Sequence, residues 1–194
     1  MRRRIANLTS KVLNPFLISL VIILVLSFES THGILDALKW SLILIVISIV
    51  PVYAVIIYFA RIRRLGHHFV DIRTQRNKIY LLASICALVG GVILFYLGAP
   101  LMLKAAVVAG LSAIVIFMFI NLWWKISLHT AFIAASVTVL VILYGAIATV
   151  SVTLLPLVAW ARVELEHHSV AQVAIGAFMA SLIVVVVFYL FGLV

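Results

Sequence analysis

Long apolar runs, separated by short polar stretches, constrain this chain more than any other feature. A transmembrane helix needs ~20 consecutive apolar residues, with a range of roughly 17–25. Because backbone groups in lipid must be hydrogen-bonded within the segment, each run is predicted to be an α-helix. The sequence therefore predicts an all-α fold, a polytopic transmembrane bundle of six to seven helices with its functional site at one membrane interface. The predicted spans are 13–29, 38–60, 79–97, 101–122, 128–148, a shorter 150–165, and 171–193.

The composition requires lipid as the solvent. The 194 residues are 67% hydrophobic and only 10% charged, and no soluble domain of this size could bury so much apolar surface. We expect one domain, residues 1–194. A formal charge of +9 would suggest nucleic acid in a soluble protein. Here the cations lie between apolar runs, so we expect membrane lipids as partners and no nucleic acid. Pro51 and Pro156 lie inside apolar runs and predict kinks.

Basic residues are concentrated on one side of the predicted bundle. Seven crossings place loops 61–78, 123–127 and 166–170 on the same side as the first residues of the chain. The positive-inside rule assigns that side to the cytoplasm, which predicts a multi-pass protein of the cell membrane with its site on the cytoplasmic face. A re-entrant 150–165 segment would instead separate the third loop from the other two. The cations on this side are Arg2, Arg3, Arg4, Lys11, Arg61, Arg63, Arg64, Arg73, Arg76, Lys78, Lys125 and Arg162.

Three polar islands interrupt the apolar pattern: Asp71–Lys78, Lys125–Thr130 and Ala161–Gln172. Ionisable side chains at membrane depth are costly and usually mark a functional site. Arginine binds tetrahedral oxyanions through two directed donors, and histidine can attack phosphorus or protonate a leaving group near pH 7. Phosphoryl transfer needs these parts around one group. The islands therefore predict a site that handles phosphate.

The spacing within the islands resembles the type 2 phosphatidic acid phosphatase superfamily of membrane lipid phosphatases. Its third motif is Ser-Arg, five residues, His, three residues, Asp; here Arg162 and His168 keep the spacing and Gln172 stands at the aspartate position. Its second motif, Pro-Ser-Gly-His, is similar to the stretch from Ile126 to His129. Its first motif is matched only by Arg76-Asn77, and the run Asp71–Arg76 is similar to an acidic-then-basic variant. The resemblance covers roughly residues 66–180.

The resemblance implies a role for each matching residue. His168 would be the nucleophile that forms a phosphohistidine, and His129 would be the general acid for the leaving group. Gln172 would orient His168, since its amide oxygen, four residues away on one helix face, can accept the His168 N–H. The phosphate oxygens would be held by a second set of residues, and the substrate would be a lipid phosphate or polyprenyl diphosphate, with no metal or other cofactor. That phosphate-binding set is Arg76, Arg162 and Ser127, with Lys125 or Lys78 in place of the missing lysine.

Two departures from the family keep other interpretations open. Gln172 carries no charge to stabilise an imidazolium, and Leu128 replaces a glycine that lets the backbone approach phosphate. A non-catalytic relative or small transporter could bind an anionic lipid or solute in the same cationic pocket. A metal site that uses His67, His129, His168 and Asp71 is disfavoured, because no ligand pair has a recognised metal spacing. The sequence leaves the oligomeric state open.

Overall fold

The computed structural model describes residues 1–62 and 73–194, and the side chains within those ranges except 59–62 and 73–76. The described residues are mainly helical and contain no β-strand, which confirms the all-α fold class. A π-helical turn, Ile45–Ile49, joins α3 to α4, and a 3₁₀ helix, Gly145–Thr153, joins α7 to α8. The α-helices are α1 Arg2–Val12, α2 Pro15–Glu29, α3 Ile34–Leu44, α4 Val50–Ile62, α5 Arg73–Tyr96, α6 Leu101–Asn121, α7 Leu128–Tyr144, α8 Leu154–Glu164 and α9 Val170–Leu190.

Five helical stretches in the described part of the chain are long and apolar enough to cross a membrane. The pair α1 and α2, bent by 41°, makes a sixth candidate. Large apolar side chains lie on the surface of these stretches, as lipid contact requires; on α5 they include Leu81, Leu88 and Val92. These features are consistent with a multi-pass membrane protein. The five stretches are Ile34–Tyr58, Asn77–Tyr96, Leu101–Asn121, Leu128–Glu164 and Val170–Leu190.

The chain divides into two compact units. The first unit comprises Met1–Ile22 and Lys125–Val194, and the second comprises Ile23–Trp124. The first unit therefore contains the second and third polar islands, whereas the first island belongs to the second unit. The single domain expected from the sequence stays a prediction.

The second unit is held together by close helix approach and by one buried amide pair. A β-carbon at Gly90 would lie 2.6 Å from Ile47 Cγ2, so α5 can approach the π-helical turn only because this residue is glycine. The buried Asn121 donates from Nδ2 to Asn77 Oδ1 at 2.7 Å and ties α6 to α5. Pro51, predicted to kink its span, follows the π-helical turn directly, where the regular hydrogen-bond ladder is already interrupted.

In the first unit, α7 and α8 form a helical hairpin. Ile133 and Val137 of α7 pack against Val158 of α8 in a buried cluster. Val141, near the end of α7, and Leu154, at the start of α8, pack on the same cluster. The two helices are therefore antiparallel, and the end of α8 returns to the level where α7 begins. A re-entrant segment that separates the second and third islands is not what the structure contains.

The hairpin turn corrects the predicted span boundaries. We expected helices over 128–148 and 150–165, but α7 ends at Tyr144 and a nine-residue 3₁₀ helix follows. Gly145 ends α7 with φ 59° and ψ −134°, a conformation that only glycine adopts readily. Pro156 does not kink a helix interior as predicted. It lies in the first turn of α8, where a missing N–H costs nothing.

The first helix, α1, was not predicted as a helix at all. Its Ala6 is fully buried and its Ser10 is 7% exposed, and both lie on the face that packs against α8. Asn14 separates α1 from α2: its side chain donates to the Lys11 carbonyl at 2.6 Å and accepts from Leu17 N at 3.0 Å. This side-chain cap ends one helix and begins the next.

Candidate functional site

His168 is oriented by a side chain one turn further along the chain. Its Nδ1 lies 3.1 Å from Gln172 Oε1, and an amide oxygen can only accept, so Nδ1 carries the proton and Nε2 is left with its lone pair. The side chain is 8% exposed. We had expected His168 and Gln172 to share one helix face. In fact His168 precedes α9, whose N-cap is Ser169.

Gln172 has a second role that the sequence reading missed. Ser169 and Gln172 form a capping box: Gln172 N donates to Ser169 Oγ at 3.3 Å, and Ser169 N donates to Gln172 Oε1 at 3.3 Å. The pattern Ser-x-x-Gln before an apolar run is a recognised signature of a helix start. One amide oxygen thus accepts from the His168 ring and from the backbone of the N-cap residue Ser169, which fixes its position.

Arg162 reaches the site from the last turn of α8. Its side chain is 8% exposed, and its Nη1 donates to Ser10 Oγ of α1 at 2.7 Å. A buried guanidinium is costly unless its donors are satisfied. Ser10 is therefore part of the site, although nothing in its local sequence indicated this.

The His129 ring joins this group from the first turn of α7. It hydrogen-bonds the Ser10 backbone and interacts electrostatically with Arg162, His168 and His167. The structure thus brings His129, Arg162 and His168 together from three separate segments of the first unit. The second and third islands meet, as the hairpin of α7 and α8 requires.

The turn that carries the two histidines is a Schellman motif without glycine. His167 N donates to the Arg162 carbonyl at 3.2 Å and Glu166 N donates to the Val163 carbonyl at 2.9 Å, which is the paired pattern of this motif. Glu166 occupies the left-handed position at φ 59°, which costs a non-glycine residue ~1–2 kcal/mol. Its carboxylate forms an exposed ion pair with Arg3 of α1.

Lys125 and Ser127 connect the second island to the third. Lys125 Nζ donates to the His167 carbonyl at 3.2 Å. Ser127 caps α7, and its N donates to the Gln172 carbonyl at 3.4 Å. Its Oγ is fully buried and has no hydrogen-bond partner among the described residues. An unsatisfied buried hydroxyl costs about 1–3 kcal/mol, so a group that bound there would recover that cost.

Close approach of α7 and α9 depends on Gly176. A β-carbon at this position would lie 3.0 Å from the Ser127 carbonyl oxygen and 3.3 Å from Thr130 Oγ1. Further along the same interface, Thr138 Oγ1 donates to Ser181 Oγ at 3.0 Å. Membrane helices commonly pack through small residues and through hydrogen bonds between polar side chains of neighbouring helices.

The remaining predicted phosphate ligands lie in the second unit. Lys78 is exposed on the first turns of α5. Arg76 belongs to α5, but its side chain, like His67 and Asp71, lies outside the described residues. A role for Arg76 and Lys78 at the site stays a prediction. Among the described residues, no group of three histidine, cysteine or acidic side chains could hold a metal ion.

No known protein family, curated protein or solved structure matches this chain.

Proposed function

We propose that this protein is an integral-membrane phosphatase that hydrolyses a lipid phosphate or polyprenyl diphosphate through a phosphohistidine intermediate. The observation that carries the proposal is the meeting of the buried His168 and Arg162 with the half-buried His129 in one group. A nucleophile, an acid and a fixed cation are the parts that phosphoryl transfer needs.

The geometry at His168 suits nucleophilic attack. With Nδ1–H held by Gln172, the Nε2 lone pair attacks phosphorus and the P–O bond to the leaving group breaks. His129, which takes up a proton from solvent as the anionic phosphate binds beside it, gives that proton to the departing oxygen. Water then attacks the phosphohistidine and gives a proton to His129, the P–N bond breaks, and inorganic phosphate leaves with Nε2 restored. Arg162 offsets the negative charge that develops on the phosphoryl oxygens, and Lys125, which binds the His167 carbonyl of the turn after α8, adds a second cation nearby.

An apolar groove beside the group supports a lipid rather than a soluble substrate. It is lined by Thr130 of α7, Pro156 and Ala159 of α8, and Val170 and Ala174 of α9. Thr130 follows His129 directly, and Val170 lies two residues after His168. A substrate with its phosphate at the histidines would therefore have apolar surface beside it for a hydrocarbon tail.

The charge distribution supports a cell-membrane protein with the site on the cytoplasmic face. Arg2, Arg3, Arg4 and Lys11 lie on α1, the helix that contacts the site through Ser10. Cations flank transmembrane helices mainly on the cytoplasmic side. The proposal therefore places substrate entry in the cytoplasmic leaflet.

A second candidate is a protein that binds an anionic lipid or solute without hydrolysing it. It is favoured by the neutral Gln172 amide, which orients His168 but supplies no charge to stabilise an imidazolium. Both candidates use the same cationic group, so only turnover separates them.

Phosphate release by the purified protein tests the proposal. The protein, with a chelator present, is given a panel of lipid monophosphates and diphosphates. We expect turnover of at least one, with none for His168→Ala. His167→Ala is the matched control, since it keeps the backbone carbonyl that Lys125 binds, and we expect it to stay active. His129→Ala should lose ~10²–10⁴-fold with poor leaving groups.

Trapping of the intermediate tests the role of His168 directly. Substrate labelled with ³²P should transfer label to the protein in an acid-labile, alkali-stable form, and His168→Ala should remain unlabelled. Tight binding of the lipid panel without turnover or label would favour the second candidate and contradict the phosphatase.

A further inference from the structure

Ser10 of α1 occupies the groups that a phosphate would need. Its hydroxyl accepts from Arg162 Nη1 at 2.7 Å, and its backbone hydrogen-bonds the His129 ring. Two oxygens of one residue thus face the cation and the acid that the proposed function assigns to phosphate. A phosphoryl group carries the same kind of acceptor with far more charge.

In this arrangement Arg162, His168 and Ser10 are closed to solvent, and His129 is half-buried. Arg162 and His168 are each 8% exposed and Ser10 is 7% exposed. A phosphate cannot reach the Arg162 donor that Ser10 fills unless the Ser10 hydroxyl leaves. Rotation of the hydroxyl would free Arg162 but not His129, whose ring is hydrogen-bonded to the Ser10 backbone, so freeing both groups requires the helix to move.

Helix α1 packs along α8, but the side chains of α1 that this packing buries are the small Ala6 and Ser10. Ala6, which is fully buried, contributes only a methyl group. The Arg3–Glu166 ion pair is exposed, with side chains 65% and 78% accessible, and such pairs are worth at most ~1 kcal/mol. Asn14 separates α1 from α2 with a bend of 41°. Leu13 and Ile18, on either side of it, pack on the buried cluster of α7 and α8, so α1 would swing about this anchored junction.

The faces of α1 that do not contact α8 suit the membrane surface. Ile5, Leu8 and Val12 form an exposed apolar stripe at helical spacing. Arg4 and Lys11 are exposed on the same helix. An amphipathic helix with an apolar stripe and a cationic face binds the interface of an anionic membrane, which gives α1 a place to lie once it leaves α8.

We infer that α1 is a lid, that Ser10 fills the phosphate position in the closed state, and that α1 must leave α8 before a phosphate group can bind. This inference rests on the proposed function, whose site it regulates. It predicts that weakening the Ser10 contact favours phosphate and that tethering α1 excludes it.

Binding of inorganic phosphate to the purified protein, measured by isothermal titration calorimetry, tests the first part. Ser10→Ala removes the hydroxyl but keeps the backbone contact with His129. Since a hydrogen bond to a charged group is lost only from the closed state, we expect phosphate to bind about tenfold more tightly. Asn7→Ala, at an exposed position of the same helix, is the control and should bind phosphate as the parent does. Weaker binding by Ser10→Ala would instead make Ser10 a positioning residue for Arg162 and overturn the lid.

A reversible tether tests the second part. Arg3→Cys and Glu166→Cys, combined with Cys86→Ser, place thiols where the ion pair was. A bis-maleimide with a cleavable disulfide spacer then joins α1 to the turn after α8. We expect the tether to weaken phosphate binding at least tenfold and cleavage to restore it, which misfolding could not do. The single Arg3→Cys variant with the same reagent is the control.

The lid and the phosphatase can fail separately. If the protein hydrolyses a lipid phosphate but neither Ser10→Ala nor the tether changes phosphate binding, the lid is wrong and the phosphatase is supported. If Ser10→Ala strengthens phosphate binding and the tether weakens it, but no lipid phosphate is hydrolysed, α1 is a lid over a binding site and the phosphatase is contradicted. No phosphate binding and no turnover in any variant would overturn both.

Discussion

At the scale of single residues, Gln172 is the position where structural and chemical roles coincide. Its Oε1 accepts from Ser169 N and faces His168 Nδ1. The capping role alone would explain a glutamine here. The contact with His168 gives it a consequence for chemistry, because it decides which ring nitrogen carries the proton.

Gln172→Glu should preserve or raise turnover of a lipid phosphate. Glutamate keeps the reach of glutamine and completes the same capping box, and its charge stabilises the imidazolium form of His168. Gln172→Leu removes the acceptor and should lower turnover ~10- to 100-fold, the equivalent of a hydrogen bond of about 1.5–3 kcal/mol. Initial rates of phosphate release measure both.

Ser169→Ala is the control for lost capping. It breaks the other half of the capping box and should cost ~1 kcal/mol of stability while it leaves the His168 contact in place. If Gln172→Glu is folded but inactive, Gln172 is not the orienting group for a catalytic His168.

At Glu166 the backbone conformation lowers the stability of the fold, whereas the side chain raises it. Its φ of 59° is strained, yet its carboxylate pairs with Arg3. Glu166→Gly should be more stable than Glu166→Ala by ~1–2 kcal/mol, since both lose the ion pair and only alanine keeps the strain. Thermal unfolding of the two variants in detergent gives the difference, and equal stability would contradict a left-handed conformation at this position.

The site could be predicted from the sequence only where its pattern is local or lies at a fixed spacing. Arg162 and His168 were found through such spacing. Ser10 could not be predicted, because its contact with Arg162 joins residues 152 positions apart and nothing in the sequence of the first helix indicates that contact. The local pattern of Ser169 and Gln172 is sufficient to predict the capping box, whereas the family resemblance gives Gln172 only the aspartate position.

At the scale of helices, the site depends on how closely α7 approaches α9. Gly176 sits where the two helices meet, opposite the Ser127 carbonyl. That carbonyl also accepts from Thr130 Oγ1 at 3.1 Å and from Ala131 N at 3.1 Å, so it is anchored and cannot retreat freely.

Gly176→Ala should therefore separate the starts of α7 and α9 by a few tenths of an ångström. Overpacking of this kind costs ~1–3 kcal/mol, and a displaced His129 should lower turnover by tenfold or more, since misplacement of ~1 Å can cost about 10²-fold. Gly110→Ala is the control: a β-carbon there meets nothing within 4 Å, and alanine should be neutral or stabilising by up to ~1 kcal/mol. Equal effects of the two changes on unfolding temperature and turnover would refute the close approach.

The helices that hydropathy predicted and those that it missed differ in what stabilises them. Runs of ~20 apolar residues are helical in lipid because a helix satisfies all backbone hydrogen bonds within the segment. The spans of α5, α6 and α9 were therefore predicted closely. Helix α1 carries three consecutive arginines and packs on α8 through Ala6 and Ser10. Its position comes from tertiary contact, which hydropathy does not report. Gly145 was missed because one residue hardly changes the average of a long apolar window.

At the scale of the molecule, apolar surface and charge are distributed as a membrane protein requires. Exposed leucine, valine and phenylalanine side chains cover the spans, while the cations of α1 lie at one end of the first unit. In that unit the histidines and Arg162 lie at the open end of the α7–α8 hairpin, and the turn with Ile147 closes the opposite end. The two ends should therefore face opposite sides of the membrane.

Labelling of single cysteines in intact cells tests this orientation. In a Cys86→Ser background, Asn7→Cys marks the end with the site and Ile147→Cys marks the hairpin turn, where the native side chain is 87% exposed. Because the basic residues favour a cytoplasmic site, we expect a membrane-impermeant maleimide to label position 147 and to reach position 7 only after permeabilisation. Labelling of position 7 in intact cells with protection of position 147 would reverse the orientation and move substrate entry to the outer leaflet. Labelling of both positions would mean that the hairpin does not cross the membrane, because its two ends would then share one aqueous compartment.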